Sequence, residues 1–133
     1  MKRQLISFGT KFEEIASYSR AMRVGDFVYL SGTTGYDYAT GKIDPDAGEQ
    51  TRQIFRNAER AFAEAGTSLA DVVRIRIYAP TAEDFDKVIP VVGEKFRGIM
   101  PTSTGILAAL IRDEIRVEIE MEAIVGSASA GKA

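Results

Sequence analysis

The chain has 133 residues, 45% hydrophobic and 27% charged, which suits one domain with a single core that needs neither disulfides nor metal. Seventeen basic against nineteen acidic side chains give a formal charge of −2, and the basic residues are scattered, which argues against nucleic acid as a partner. With no cysteine and no histidine there is no disulfide framework, no thiol nucleophile, no usual general base and no common transition-metal ligand, so any catalysis falls to Asp, Glu, Lys, Arg, Tyr, Ser, Thr, backbone groups or water.

The opening MKRQLISF carries two basic residues but an apolar run too short for a signal peptide or a membrane span. A cytoplasmic protein without a membrane partner is expected, and residues 1–8 supply a first short strand. RAMRV and FVYLSG flank Gly25 and Asp26, a two-residue link that predicts a tight hairpin. Residues 35–45, with two Tyr, two Gly and two Asp, read as a loop. From Asp46 the period changes: Ile54, Phe55, Ala58, Ala61, Phe62 and Ala65 recur at helical spacing, Gly66 stands at the stop, and Asp46 with Glu49 forms a capping-box match.

VVRIRIY, residues 72–78, alternates and is β-branched, predicting a strand with Val73, Ile75 and Ile77 toward the core. Thr81 with Asp84 starts a second helix whose apolar stripe is Phe85, Val88, Ile89, Val92 and Phe96, with Pro90 expected to kink it or restrict its regular part. Two final strands follow at about 103–110 and 115–125. In the second, VEIEME sets Glu118, Glu120 and Glu122 on one face, which suits solvent, a cleft or a subunit interface. The order gives an α+β fold with two helices on one face of a sheet, a single domain over 1–125 and a flexible tail, GSASAGKA, over 126–133.

Taken together, YSRAMRVGDFVYLSG, GEQTRQIFRNAERAFAEAG with its following strand, DFDKV, and Pro101 followed by the VEIE strand resemble the Rid (YjgF) family of reactive-imine deaminases over about residues 2–125. The resemblance implies a chorismate-mutase-like fold, a mixed sheet with two helices on one face, and a homotrimer packed around a central barrel with clefts between subunits. It also implies a site: a glutamate at Glu118 that handles the attacking water, a serine-glycine pair at Ser31 and Gly32, and a tyrosine at Tyr18. The arginine that clamps the substrate carboxylate in the deaminases falls on Ser103, because PTST replaces the expected Pro-Ala-Arg-Ser. Ala16 and Ser17 stand where the family usually has Gly-Pro. The sequence therefore resembles the subgroups that lack the deaminase arginine.

Hydrolysing an imine requires water to add to a carbon-nitrogen double bond and ammonia to leave, which one positioned carboxylate can promote without a cofactor. Same-face carboxylates on a strand lie about 7 Å apart, so mutual repulsion can raise the proton affinity of one, and Glu118 is the candidate. The plain alternative is a solvated or ion-paired face. Arg20, two residues from Tyr18 and on its strand face, is the candidate replacement clamp; otherwise it is a surface arginine. Ser31 and the Gly32 amide can anchor a carboxylate or carbonyl oxygen, or simply end a strand. Tyr18 can stack on a planar ligand or pack an interface. Ser103 and Thr104 can donate hydrogen bonds to a substrate, but no histidine is present to make either a nucleophile.

The acidic clusters lack metal-ligand spacing, so neither metal nor cofactor is expected. The leading expectation is a homotrimer whose clefts act on a small carboxylate- or carbonyl-bearing metabolite, by hydrolytic deamination of an imine or enamine other than the usual amino-acid-derived ones. The alternatives are a non-catalytic metabolite-binding or interaction protein of the same fold and, behind it, a ribonuclease or translation inhibitor.

Overall fold

A computed structural model of the chain describes residues 1–130. Six strands, β1 (Arg3–Ile6), β2 (Ala21–Val24), β3 (Phe27–Thr34), β4 (Val72–Ala79), β5 (Thr102–Leu107) and β6 (Glu118–Ile124), form one sheet in the order β1-β2-β3-β6-β4-β5. Three helices accompany them: α1 (Lys11–Ala16), α2 (Ala47–Glu64) and α3 (Ala82–Phe96). The last strand thus fills the gap between β3 and β4, antiparallel to both, while β4 and β5 run parallel across α3. This is the expected α+β arrangement, with α2 and α3 packed on one face.

The predicted hairpin is present: Val24 pairs with Phe27, and Gly25 takes φ 59°, a conformation that costs a side-chain-bearing residue energy. α2 starts where Asp46 accepts a hydrogen bond from the Glu49 amide at 3.0 Å and buries Ile54, Phe55, Ala58, Ala61 and Phe62 against Val28, Leu30, Ile75, Ile77, Ile119 and Met121. α3 is likewise capped by Thr81, which accepts from the Asp84 amide at 3.1 Å, and continues through the exposed Pro90.

Three expectations need correction. Val73 is not a core residue: the β4 register against β6 shifts between Val72 and Arg74, so Val72 takes the core position before Ile75 and Ile77. On α3 the fourth core residue is Val91, whereas Ile89 is 42% exposed, because the buried stripe passes through Val88, Val91 and Val92. The final strands are shorter than expected, since the bends over 108–117 leave the ladder to carry backbone through a loop. Within the expected tail, Ser127–Ala130 forms a 3-10 turn, and the amides of Gly126 and Ala128 donate to the Asp71 carboxylate at 2.9 and 3.0 Å. Residues 131–133 lie outside the described residues. The face of the sheet away from α2 and α3 is uncovered in the single chain and carries Leu5, Phe27 and Tyr29 exposed.

Candidate functional site

Where β3 passes β6, its register breaks between Leu30, opposite Met121, and Thr33, opposite Ile119. One extra residue is accommodated there, so Ser31 and Gly32 form a β-bulge that bends the strand and releases backbone groups from the ladder. Other partners take them up. The Gly32 carbonyl accepts from Arg20 Nη2, the Ser31 amide donates to the Arg20 carbonyl at 3.0 Å, and Ser31 Oγ donates to the Ser19 carbonyl at 2.7 Å.

Glu118 opens β6, opposite Thr34 on one side and Tyr78 on the other. Its carboxylate lies directly over Gly32, where any β-carbon would collide with it. No side chain among the described residues hydrogen-bonds or ion-pairs with this carboxylate. Burial pushes its pKa above the ordinary 4.5; the nearby Arg20 charge works in the opposite direction, and Glu120 adds to the rise. Glu120 and Glu122 differ in surroundings: Tyr78 donates to Glu120 at 2.6 Å, and Arg76 lies 3.7 Å from Glu120 and 3.4 Å from Glu122.

Arg20 is only 3% exposed. Besides holding Gly32, it donates from Nη1 to the Tyr38 hydroxyl at 3.4 Å and stands 5.7 Å from the Tyr18 ring centroid. Its Nε is buried without a hydrogen-bond partner. A buried arginine with an unused donor beside a half-buried carboxylate is costly unless something else completes the arrangement.

These groups share a cavity of about 250 Å³, whose other walls come from Phe12 and Ala16 of α1, from Tyr36 and Tyr38, and from Ile111, Arg112 and Ile115. Each wall is held by an identifiable device. α1 carries a complete capping box: Thr10 Oγ1 accepts from the Glu13 amide at 3.2 Å while the Glu13 carboxylate accepts from the Thr10 amide at 3.4 Å, and also from the Thr10 hydroxyl at 2.7 Å. Burial opposes the Glu13 charge, but bonds from Thr10, Ser7 and the Phe8 amide outweigh it and lower the pKa. α1 ends at Ser17 with φ 57°, a value proline cannot adopt.

Two buried polar residues of α2 fix the loops. Gln50 Nε2 donates to the carbonyls of Asp44 and Glu114 and its Oε1 accepts from the Arg116 amide, while Asn57 Nδ2 donates to the carbonyls of Thr34 and Tyr36. The Tyr36 hydroxyl donates to Glu114 at 2.6 Å, and burial, then this carboxylate, pushes its pKa up to about 12.

The structure therefore brings together Tyr18, Arg20, Gly32 and Glu118. Within one chain Ser103 and Thr104 lie elsewhere, and Ser31, although next to Gly32 and bonded through its amide to Arg20, does not line this cavity. Ser31 lines a broad depression of about 610 Å³ on the uncovered sheet face, with Tyr29, Arg76 and Glu120. Ser103, beside Ile75 on β4, faces the helices with Val92 and Phe96, and Thr104, beside Arg76, points to the uncovered face. Sequence reasoning missed Phe12, Tyr36, Tyr38, Ile111, Arg112 and Ile115. The Thr10 to Glu13 spacing was the one clear signal available for the α1 wall. Among the described residues no acidic cluster converges as a metal site, and no helix is long and apolar enough to cross a membrane.

A buried cation and a carboxylate of raised proton affinity, side by side in a small tyrosine-rich pocket, can hold an anionic or carbonyl-like group and activate a water beside it. Residues 8–125 match the family model described as endoribonuclease L-PSP. A RutC family protein of Pyrococcus abyssi is 33% identical over 107 residues, covering 80% of this chain and 84% of the relative. A 2-iminobutanoate/2-iminopropanoate deaminase of Dermatophagoides farinae is 28% identical, covering 92% and 97%. Among solved structures, a YjgF/YER057c/UK114 family member from Mycobacterium tuberculosis superposes with TM-score 0.85 at 38% identity, covering 93% of this chain and all of that one.

Proposed function

Because the chain belongs to the endoribonuclease L-PSP family, whose members also carry the YjgF and Rid names, we propose that its pocket hydrolyses a small imine or enamine to the corresponding carbonyl compound and ammonia. The observation that carries this reading is the state of Glu118: half-buried over the bulge at Gly32, raised in proton affinity and free of the partners that hold Glu120 and Glu122. Glu118 takes a proton from water as the water oxygen bonds to the carbon of the protonated imine and the π electrons move to its nitrogen, leaving a neutral amine. The resulting carbinolamine collapses when the Glu118 carboxyl group returns its proton to the leaving amine, the carbon-nitrogen bond breaks to release ammonia, and the hydroxyl proton passes to the Glu118 carboxylate as the carbonyl forms. A carboxylate above its ordinary pKa is a better base for this work near neutral pH.

Arg20 takes the role left open at Ser103, holding the substrate carboxylate through its guanidinium group. No cofactor enters the reaction. The uncovered sheet face, with Leu5, Phe27 and Tyr29 exposed, supports assembly as a homotrimer, and the chemistry suits the cytoplasm. The test is ammonia release from 2-iminobutanoate generated in situ, with wild type beside Glu118→Gln. Wild-type acceleration and a drop of about 100-fold or more in the variant are expected. Equal rates for the two proteins would exclude Glu118 from the chemistry, and no wild-type acceleration would exclude this substrate.

A further inference from the structure

The imine reading leaves the substrate's side chain open, and the remaining pocket lining narrows it. Resting on that reading, we propose that the pocket selects an imine or enamine bearing an aromatic ring, with the carboxylate at Arg20 and the ring against Phe12, Tyr36 and Ile111. The cavity, about 250 Å³, falls just below the range of roughly 300–1,000 Å³ typical for drug-sized ligands, so it fits a metabolite of one ring.

Four observations point to a ring. Phe12 and Ile111 are 47% and 77% exposed although they border a formed cavity, so the pocket displays apolar surface that a bulky ligand would cover. The Arg112 guanidinium sits 5.3 Å from the Phe12 ring centroid and has no carboxylate partner among the described residues, a planar cation placed to cover a second ring. The wall is preformed, since the α1 capping box and the Gln50 and Asn57 bonds fix its segments before any ligand arrives. At the other end, the buried guanidinium side chain of Arg20 lines the cavity and supplies the cation for a carboxylate. A two- or three-carbon side chain would leave the apolar wall wet, and a second carboxylate would have to be desolvated against Phe12 and Ile111.

The experiment is calorimetric binding of three 2-oxo acids, the product forms, to the full chain: phenylpyruvate, 2-oxobutanoate and 2-oxoglutarate. Phenylpyruvate should bind about tenfold or more tighter than 2-oxobutanoate, from burial of the ring. Phe12→Ala should cut phenylpyruvate affinity at least about fivefold more than that of 2-oxobutanoate, and Ile111→Ala, on a separate segment, should move the ratio the same way. The proposal is overturned if either smaller or dicarboxylic acid binds as tightly as phenylpyruvate, if neither variant changes the ratio, or if none of the three binds. Turnover is scored separately: ring-selective binding without ammonia release from the phenylalanine-derived imine keeps the selectivity and sinks the hydrolytic reading. Ammonia release from 2-iminobutanoate without ring preference does the reverse.

Discussion

Along β6, Glu120 and Glu122 share Arg76, and Tyr78 also donates to Glu120, whereas Glu118, two residues earlier on the same face, has neither partner. The difference originates on the neighbouring strand. Opposite Glu122, β3 is regular and Tyr29 pairs normally; beside Glu118, the bulge at Ser31 and Gly32 opens a hollow that the carboxylate enters. Identical side chains at period-two positions thus acquire different chemistry because the backbone beside one of them leaves the ladder. One end of the face is ion-paired surface, and the other is a candidate base.

Removing Arg20 should disturb that contrast most. Arg20→Gln loses a charge-assisted donor worth roughly 1.5–3 kcal/mol, so the affinity for a 2-oxo acid should fall about ten- to a hundredfold. Arg76→Gln, at the paired end, should change it by less than about fivefold, because solvent-accessible pairs are worth about 1 kcal/mol or less. Titration calorimetry on the two variants reads both. Equal losses would place the ligand on the paired end instead.

Gly32→Ala tests the bulge itself. A β-carbon there meets the Glu118 carboxylate, which must swing away, so ammonia release should fall about tenfold while the melt shows a destabilisation of about 1–3 kcal/mol. An unchanged rate would mean that the position of Glu118 over Gly32 is incidental.

The smallest effect is on stability. A carboxyl group whose folded pKa is raised gives the fold nothing below its unfolded pKa and costs stability as pH rises through the folded value. Glu118→Gln should therefore melt higher than wild type at pH 7, with the gain shrinking as pH falls and gone below about 4.5. Asp71 runs the other way: burial opposes its charge, but bonds from Thr67 and the amides of Ala128 and Gly126 lower its pKa, so its contribution is present at neutral pH and is lost on acidification. Thermal melts from pH 4 to 8 on Glu118→Gln and Asp71→Asn should give opposite signs at pH 7.

The same contrast explains what was legible in the sequence. α2, the hairpin at Gly25 and the strand order around them follow from periodicity and turn chemistry, which act locally. Val72 displacing Val73 follows from a bulge created by pairing with a strand some fifty residues away, to which a local pattern is blind. Glu118 and Tyr18 follow from the family resemblance and Arg20 from its spacing to Tyr18 on an expected strand face; β2 begins only at Ala21, so Tyr18 and Arg20 precede the strand, and it is the pocket rather than strand alternation that brings them together. The resemblance puts Ser103 in a cleft between subunits; within one chain it stands beside Ile75 and faces Val92 and Phe96, and alternation gives two faces but not which one the helices cover. The loop wall of Tyr36, Tyr38 and Ile111 depends on Gln50 and Asn57, polar residues on a helix whose sequence pattern gives no hint that they are buried.

The most direct test is a carbon-detected NMR titration of the glutamate carboxyl groups, with Glu118→Gln supplying the assignment. One carboxyl resonance should titrate above 4.5, be lost in Glu118→Gln, and move higher still in Arg20→Gln, where the opposing positive charge is gone. A Glu118 resonance titrating at or below 4.5 would contradict the account.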